Sequence, residues 1–184
     1  MQKLEPDKQK ELFKTLGRVR DQAKTTNYSA LYGVGAKKLA RELGISVSDA
    51  AKLLEAFWEV NWAVKAVAKD QYIKTLKDGS TWLKNPVSGF YYSLRYEKDI
   101  WSTLNQGTGV YCFDTWLAYC SAYEIEIVSQ MHDEILVECD DDEQSIEDTK
   151  ERMQNAITKT NEKVKLNVKL AIDIQTGYDY ASVH

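Results

Sequence analysis

The chain has 184 residues, 43% of them hydrophobic, with two prolines and no low-complexity tract, enough to bury a sizeable core in one soluble intracellular unit. No apolar run is long enough to span a bilayer, and the polar start MQKLEPDKQK is unlike a signal peptide, so no membrane partner is expected. A net charge of −4 argues against a polyanionic partner for the chain as a whole. The charge is uneven, however: residues 1–41 carry ten Lys or Arg against four acids, and residues 124–151 carry twelve acids against one lysine. Cys112, Cys120 and Cys139 form no CxxC pair, which predicts reduced thiols and neither a disulfide framework nor a zinc ribbon.

In chain order, Glu11–Leu31 holds one glycine, Gly17, and a helix is expected to begin soon after it. Within that helix Arg20, Lys24, Tyr28 and Tyr32 stand four residues apart and share one slowly winding face. Two cations, aided by the positive end of the helix dipole, followed by two rings, suit a nucleoside triphosphate laid along the helix. An ordinary amphipathic surface has the same spacing. A short helix over Ala36–Leu43 stops at Gly44, and Ser46 or Ser48 caps a long helix over Ala50–Leu76, in which Phe57, Trp58 and Trp62 are expected to pack. Lys77-Asp78-Gly79-Ser80 is expected to end it. Thr81–Leu94 reads as a hairpin, and Tyr96–Ala122 as a helix carrying Gln106. Glu124–Val128 and the residues up to Val137 read as two strands around His132-Asp133-Glu134, a tip that presents acidic oxygens to a hard divalent cation. A charged helix from Asp142 to about Thr160 comes next, and Val164–Ile174 alternates like a strand that pairs with the hairpin. The predicted class is α+β: a helical part and an antiparallel sheet backed by helices.

Three stretches together carry a resemblance. Arg20-x3-Lys24-x3-Tyr28-x3-Tyr32-Gly33 resembles motif B, on the fingers helix of family A (Pol I-like) DNA polymerases. Gln106-Gly107-Thr108 is similar to that family's QGT element, and Met131-His132-Asp133-Glu134 resembles its motif C. The polar-aromatic tail ending in His184 is also similar to that of several members. The resemblance implies a fingers subdomain over residues 11–76 and a palm portion over 77–184, an incomplete polymerase right hand. It implies primer-template DNA and dNTP as substrates, and two Mg2+ ions at which nucleotidyl transfer occurs. By this resemblance Asp133 binds metal and Glu134 supplements it. Arg20 and Lys24 hold the β- and γ-phosphates, with Lys24 also placed to protonate the leaving pyrophosphate. Tyr28 packs on the incoming sugar, its hydroxyl implying tolerance of nucleotides without a 3′-hydroxyl. Tyr32 guards the template-base position, and Gln106 and His132 touch the minor-groove side of the primer terminus.

The chain departs from the family's pattern at Ser29, where glycine is usual, and at Ser102, where asparagine is usual. More consequentially, nothing in residues 1–17 matches motif A, the strand that carries the family's other metal-binding aspartate, and the thumb is missing too. The expectation is therefore a split polymerase, as in a phage, working in the host cytoplasm with an N-terminal half that brings motif A and thumb, shares the two Mg2+ ions, and covers an open sheet edge or apolar patch. The alternatives are a catalytically inactive DNA-binding or structural remnant of a replication polymerase, and a metal-dependent hydrolase built on His132, Asp133 and Glu134, which has only His184 as a second histidine and no HExxH spacing.

Overall fold

A computed structural model describes residues 6–183. The fold is α+β, with helices α1 (Pro6–Leu31), α2 (Ala36–Leu43), α3 (Val47–Val60), α4 (Trp62–Lys69), α5 (Ile100–Ala122) and α6 (Glu143–Val164). An antiparallel sheet of β1 (Ile73–Thr75), β2 (Thr81–Lys84) and β3 (Tyr91–Leu94) is separate from a hairpin of β4 (Ile127–Met131) and β5 (Glu134–Val137). The chain forms two compact units: one runs through Lys84 and adds Tyr91–Asn105, the other joins Asn85–Phe90 to the chain from Gln106 onward.

In the first unit, α1 begins at Pro6 and passes through Gly17, where the sequence suggested a start. Gly17 has nothing within 4 Å of an ideal Cβ, and an exposed helical glycine costs only about 1 kcal/mol relative to alanine. The helix ends as its sequence demands. Gly33 takes φ +69°, its N–H donates to the Ala30 carbonyl (2.9 Å), and the Val34 N–H donates to the Ser29 carbonyl (2.9 Å), the paired bonds of a Schellman stop. Leu39, Ala40 and Ala50 are buried where α2 meets α3. Ser46 caps α3 by accepting from the Asp49 N–H at 3.0 Å.

The expected long helix over Ala50–Leu76 is three elements instead. It breaks at Asn61, whose Nδ2 donates to the Phe57 carbonyl (2.8 Å) beside the Asn61 N–H (2.9 Å), so the side chain competes for the ladder's acceptor. Phe57 and Trp58 pack edge to face with centroids 5.0 Å apart, while Trp62 is 68% exposed and does not join them. After α4 the chain becomes β1, and Lys77-Asp78-Gly79-Ser80 is a hairpin turn. The Gly79 N–H donates to the Leu76 carbonyl (3.0 Å), and Gly79 takes the φ of +82° that a three-residue hairpin needs. Both the Ser80 N–H and its hydroxyl donate to Asp78, which lowers that carboxyl's pKa below its ordinary value. The β2–β3 hairpin expected over Thr81–Leu94 is present, and its buried Leu83 and Leu94 pack on Ile100, Leu104 and Ala68.

In the second unit, α5 ends in the same stop as α1 but with glutamate in the left-handed position. Glu124 has φ +55°, its N–H reaches the Ser121 carbonyl (3.0 Å), and the Ile125 N–H reaches the Cys120 carbonyl (3.1 Å). The strand expected from Glu124 thus starts only at Ile127. Arg152 on α6 donates to the Glu124 carbonyl (3.2 Å) and to the Thr149 hydroxyl (3.1 Å), tying this turn to α6. Trp116, Cys120, Ile125, Met153, Ala156 and Ile157 form the core. Burial raises the Cys112 thiol and pushes Cys120 up to about 11, so both are inert at neutral pH, while Cys139 is exposed. The indole N–H of Trp116 is buried without a hydrogen-bond partner.

Asp142 caps α6, accepting from the Ser145 N–H at 2.9 Å. The strand expected over Val164–Ile174 forms no ladder with the hairpin, which stays two-stranded. Its alternation nonetheless survives in burial: Leu170, Ile172 and Ile174 pack against the core while Ala171, Asp173 and Gln175 are exposed. A side chain replaces the missing neighbour. Asn161 on α6 brackets Leu170, its Nδ2 donating to the Leu170 carbonyl and its Oδ1 accepting from the Leu170 N–H, both at 2.8 Å. Replacing Asn161 with alanine is expected to cost about 2 kcal/mol in urea unfolding and to speed exchange at the Leu170 amide, with α6 itself unaffected.

Candidate functional site

The residues singled out from sequence fall in both units. Arg20, Lys24, Tyr28 and Tyr32 belong to the first; Gln106, His132, Asp133 and Glu134 belong to the second. On α1, Ala30 is buried, which turns the opposite side of the last two turns outward. Arg20, Lys24, Tyr28 and Tyr32 are all exposed, Tyr28 by 58% and Tyr32 by 49%. Tyr32 lies one residue past the helix, but its N–H still donates to the Tyr28 carbonyl (3.0 Å), so the four-residue spacing continues through it. The Arg20 guanidinium lies 3.6 Å from Asp21, with both side chains at least 70% exposed, a pairing that solvent leaves weak.

Because α1 starts at Pro6, Arg20 and Lys24 sit in its C-terminal half, about 21 Å and more from its first residue. The helix dipole acts within the first turn, so the expected help from its positive end is absent, and attraction for phosphate rests on the two side chains alone.

Ser29, the departure from the family's glycine, is half-buried and has a use. Its hydroxyl donates to the Glu42 carboxylate on α2 at 2.9 Å, and Lys38 lies 3.7 Å from the same carboxylate group. The serine therefore braces α2 against the helix that carries the basic and aromatic face. No local pattern announces this pair, since its members are thirteen residues apart.

In the second unit the β4–β5 hairpin closes through a two-residue turn, His132–Asp133, with Met131 opposite Glu134. His132 takes φ +51°, and both turn residues are exposed; Glu134 begins β5 and is half-buried. The polar centre read from sequence is thus a turn of two residues with the glutamate inside the strand. Among the described residues no group of three or more His, Cys, Asp or Glu side chains gathers to hold a metal ion. Asp133 offers one exposed, hard oxygen donor of the kind Mg2+ takes, too few for an octahedral site by itself.

Gln106 is exposed on α5, next to buried Gly107. Beside it lies a residue that sequence reasoning missed. Asn85 is fully buried; its Nδ2 donates to the Thr108 hydroxyl (2.9 Å), and its Oδ1 accepts from the Val87 (2.9 Å) and Ser88 (3.1 Å) N–H groups. The β2–β3 loop is thereby pinned to the third residue of the QGT element, and Phe90 adds an edge-to-face contact with Tyr111 at 6.1 Å. The available signal was the Asn-Pro dipeptide, which marks a turn but not burial. Asn85→Ala is expected to destabilise the protein by on the order of 3 kcal/mol in a denaturant titration, because several buried groups lose their partner at once. Thr108→Val, which removes one of those bonds, is expected to cost about 1 kcal/mol.

The sequence profile of DNA polymerase family A matches residues 8–87. DNA polymerase theta of Caenorhabditis elegans is 29% identical over 181 residues, covering 89% of this chain and 11% of that protein. DNA polymerase I of Caldicellulosiruptor bescii is 28% identical over 191 residues (88% of this chain, 20% of the relative), and the thermostable DNA polymerase I of Thermus filiformis is 26% identical over 184 residues (89% and 20%). The chain thus spans a tenth to a fifth of the length of these relatives. What the matches show is a similarity of this chain to a segment of family A DNA polymerases. No helix among the described residues is long and apolar enough to cross a membrane.

Proposed function

We propose that this chain supplies the fingers and part of the palm of a DNA-directed DNA polymerase, and that it adds nucleotides from dNTPs to a primer end together with a second polypeptide segment that brings motif A and the thumb. The observation that carries this reading is the exposed Arg20, Lys24, Tyr28 and Tyr32 face of α1, which lies inside the stretch matched by the family profile. On this reading Arg20 grips a phosphate through its planar fork, and Lys24 stands one turn on as a compact charge. Lys24 then holds the proton that neutralises the departing pyrophosphate. The Tyr28 ring packs on the incoming sugar, and Tyr32 stands where the template base enters. Gln106 and His132 reach hydrogen-bond acceptors in the minor groove, which are common to all base pairs and allow their shape to be checked without reading sequence.

Asp133, with Glu134 beside it, would hold Mg2+ jointly with the partner's carboxylate. When bound, the two ions supply the charge that stabilises in-line displacement at the α-phosphate. That no group of three or more metal-ligating side chains gathers among the described residues favours dependence on that partner. The same observation supports a second reading, a DNA-binding remnant that retains α1 and has no catalysis.

Primer extension with Mg2+ separates them. The chain alone is expected to be silent, and the chain mixed with an N-terminal half carrying motif A is expected to extend the primer. Asp133→Ala should lower extension in the mixture a hundredfold or more, the scale of several kcal/mol of lost charge stabilisation. Silence of a mixture whose two chains bind each other assigns the remnant instead. In an active mixture, Tyr28→Phe is expected to reduce incorporation of dideoxynucleotides relative to deoxynucleotides, measured by competition at a single template position, because the hydroxyl that stands in for the missing 3′-OH is gone.

A further inference from the structure

The β1–β3 sheet has two unlike faces. Strand pairing sets Ile73 against Leu83 and Leu83 against Tyr92, and Thr81 against Leu94, so these residues share the face that packs on Ala68, Ile100 and Leu104. The opposite face carries Lys74, Trp82 and Ser93 in one row across the strands, and Lys84 paired with Tyr91 in the next. Tyr72 extends that second row: the Lys84 N–H donates to the Tyr72 carbonyl (3.0 Å), and the Tyr72 and Tyr91 rings meet edge to face at 6.4 Å. The Lys84 ammonium lies over the Tyr91 ring, 5.9 Å from its centroid.

This face is polar where a core is not and aromatic where a solvated surface is not. Tyr72 is 58% and Tyr91 46% exposed, Lys74, Lys84 and Ser93 are exposed, and Trp82 is half-buried with its indole N–H held by the Ser80 hydroxyl at 3.1 Å. None of the strand residues on it is an acid. The nearest acids along the chain are Asp70, just past α4, and Asp78, occupied by Ser80 in the β1–β2 turn. Residues 62–98 carry seven Lys or Arg against three acids in a chain whose net charge is −4. Rows two residues apart along a strand are roughly 6.7 Å apart, and neighbouring strands roughly 4.8 Å. Rings and ammonium groups at these spacings answer to the alternation of base and phosphate along an extended single strand.

We propose that this outer face of the β1–β3 sheet is a stacking platform for single-stranded DNA. Tyr72, Tyr91 and Trp82 offer flat surfaces to bases, and Lys74 and Lys84 take the phosphates between them. Since it reads the faces of bases and not their edges, the platform has no sequence preference. It uses none of the residues assigned above to nucleotide or metal, so it stands whether or not the chain is part of a polymerase.

The test is binding of fluorescent dT12 to the full chain without nucleotide or metal, with an abasic 12-mer, a 12-bp duplex and a 5-iodouracil dT12 for photo-crosslinking. Expected are preference for dT12 over both the abasic strand and the duplex, and crosslinks to peptides holding Tyr72, Trp82 or Tyr91. Tyr72→Ala with Tyr91→Ala should weaken dT12 about tenfold or more, while Tyr72→Phe with Tyr91→Phe keeps affinity. Lys84→Ala should reduce the steepness of the salt dependence by about one unit. Equal binding of the abasic strand, an unchanged affinity for the double alanine variant, or crosslinks confined to α1 would overturn the proposal.

Discussion

How its helices are made to stop is the constraint on which the rest of this structure depends. A helix end leaves carbonyls without partners, and here the last ones of α1 and α5 are satisfied by turning one residue left-handed and folding the chain back on itself. The turn at Gly33 comes one residue after Tyr32, fixing where the basic and aromatic face ends. The turn at Glu124 comes three residues before β4 and sets the direction from which the hairpin carrying Asp133 departs. α6 ends likewise at Lys165, with φ +52°. Glycine adopts this conformation freely, whereas at Glu124 and Lys165 the side chain carries a cost of roughly 1 kcal/mol that tertiary bonds such as Arg152 to the Glu124 carbonyl offset.

Elements with strong local punctuation were legible from sequence. Gly44 and Ser46 bound α2 and α3 because left-handed stops and N-caps are local chemistry. The β2–β3 and β4–β5 hairpins were legible because short β-prone runs flank their turns. What failed involved competition that a one-dimensional pattern does not weigh. Gly17 looks like a boundary but is cheap in an exposed helix. Asn61 looks ordinary but takes its own helix's acceptor, and β1 was hidden behind the apolar run that precedes it. The alternation of residues 164–174 described burial correctly and pairing incorrectly, because periodicity reports which side chains face the core, not whether a neighbouring strand is there.

For the candidate site, spacing along one element was readable and the partners across elements were not. The four-residue march from Arg20 to Tyr32 comes from helical geometry alone. Asn85 with Thr108, and Ser29 with Glu42, are pairs whose members are 23 and 13 residues apart, and nothing in either local sequence names the other. Ser29 is instructive: a residue that counts as a departure from the family's pattern has, in this chain, a partner on α2.

The bracket that Asn161 forms around Leu170 grips backbone alone and leaves the choice of frame to the chain itself. Val168, Leu170, Ile172 and Ile174 have the same parity, so sliding the segment by two residues would present apolar side chains to the core again, with Val168, now 76% exposed, taking Leu170's place. The bracket is as indifferent to such a slip as the apolar pattern, because Asn161 bonds the backbone N–H and carbonyl, which Val168 also has. What distinguishes the native frame is the link behind it: Leu170 lies nine residues on from Asn161, and the slip would bridge the same distance with a link two residues shorter while Val164 is buried at the end of α6. The side chain on α6 holds the segment close, and the length of the connection sets its alignment.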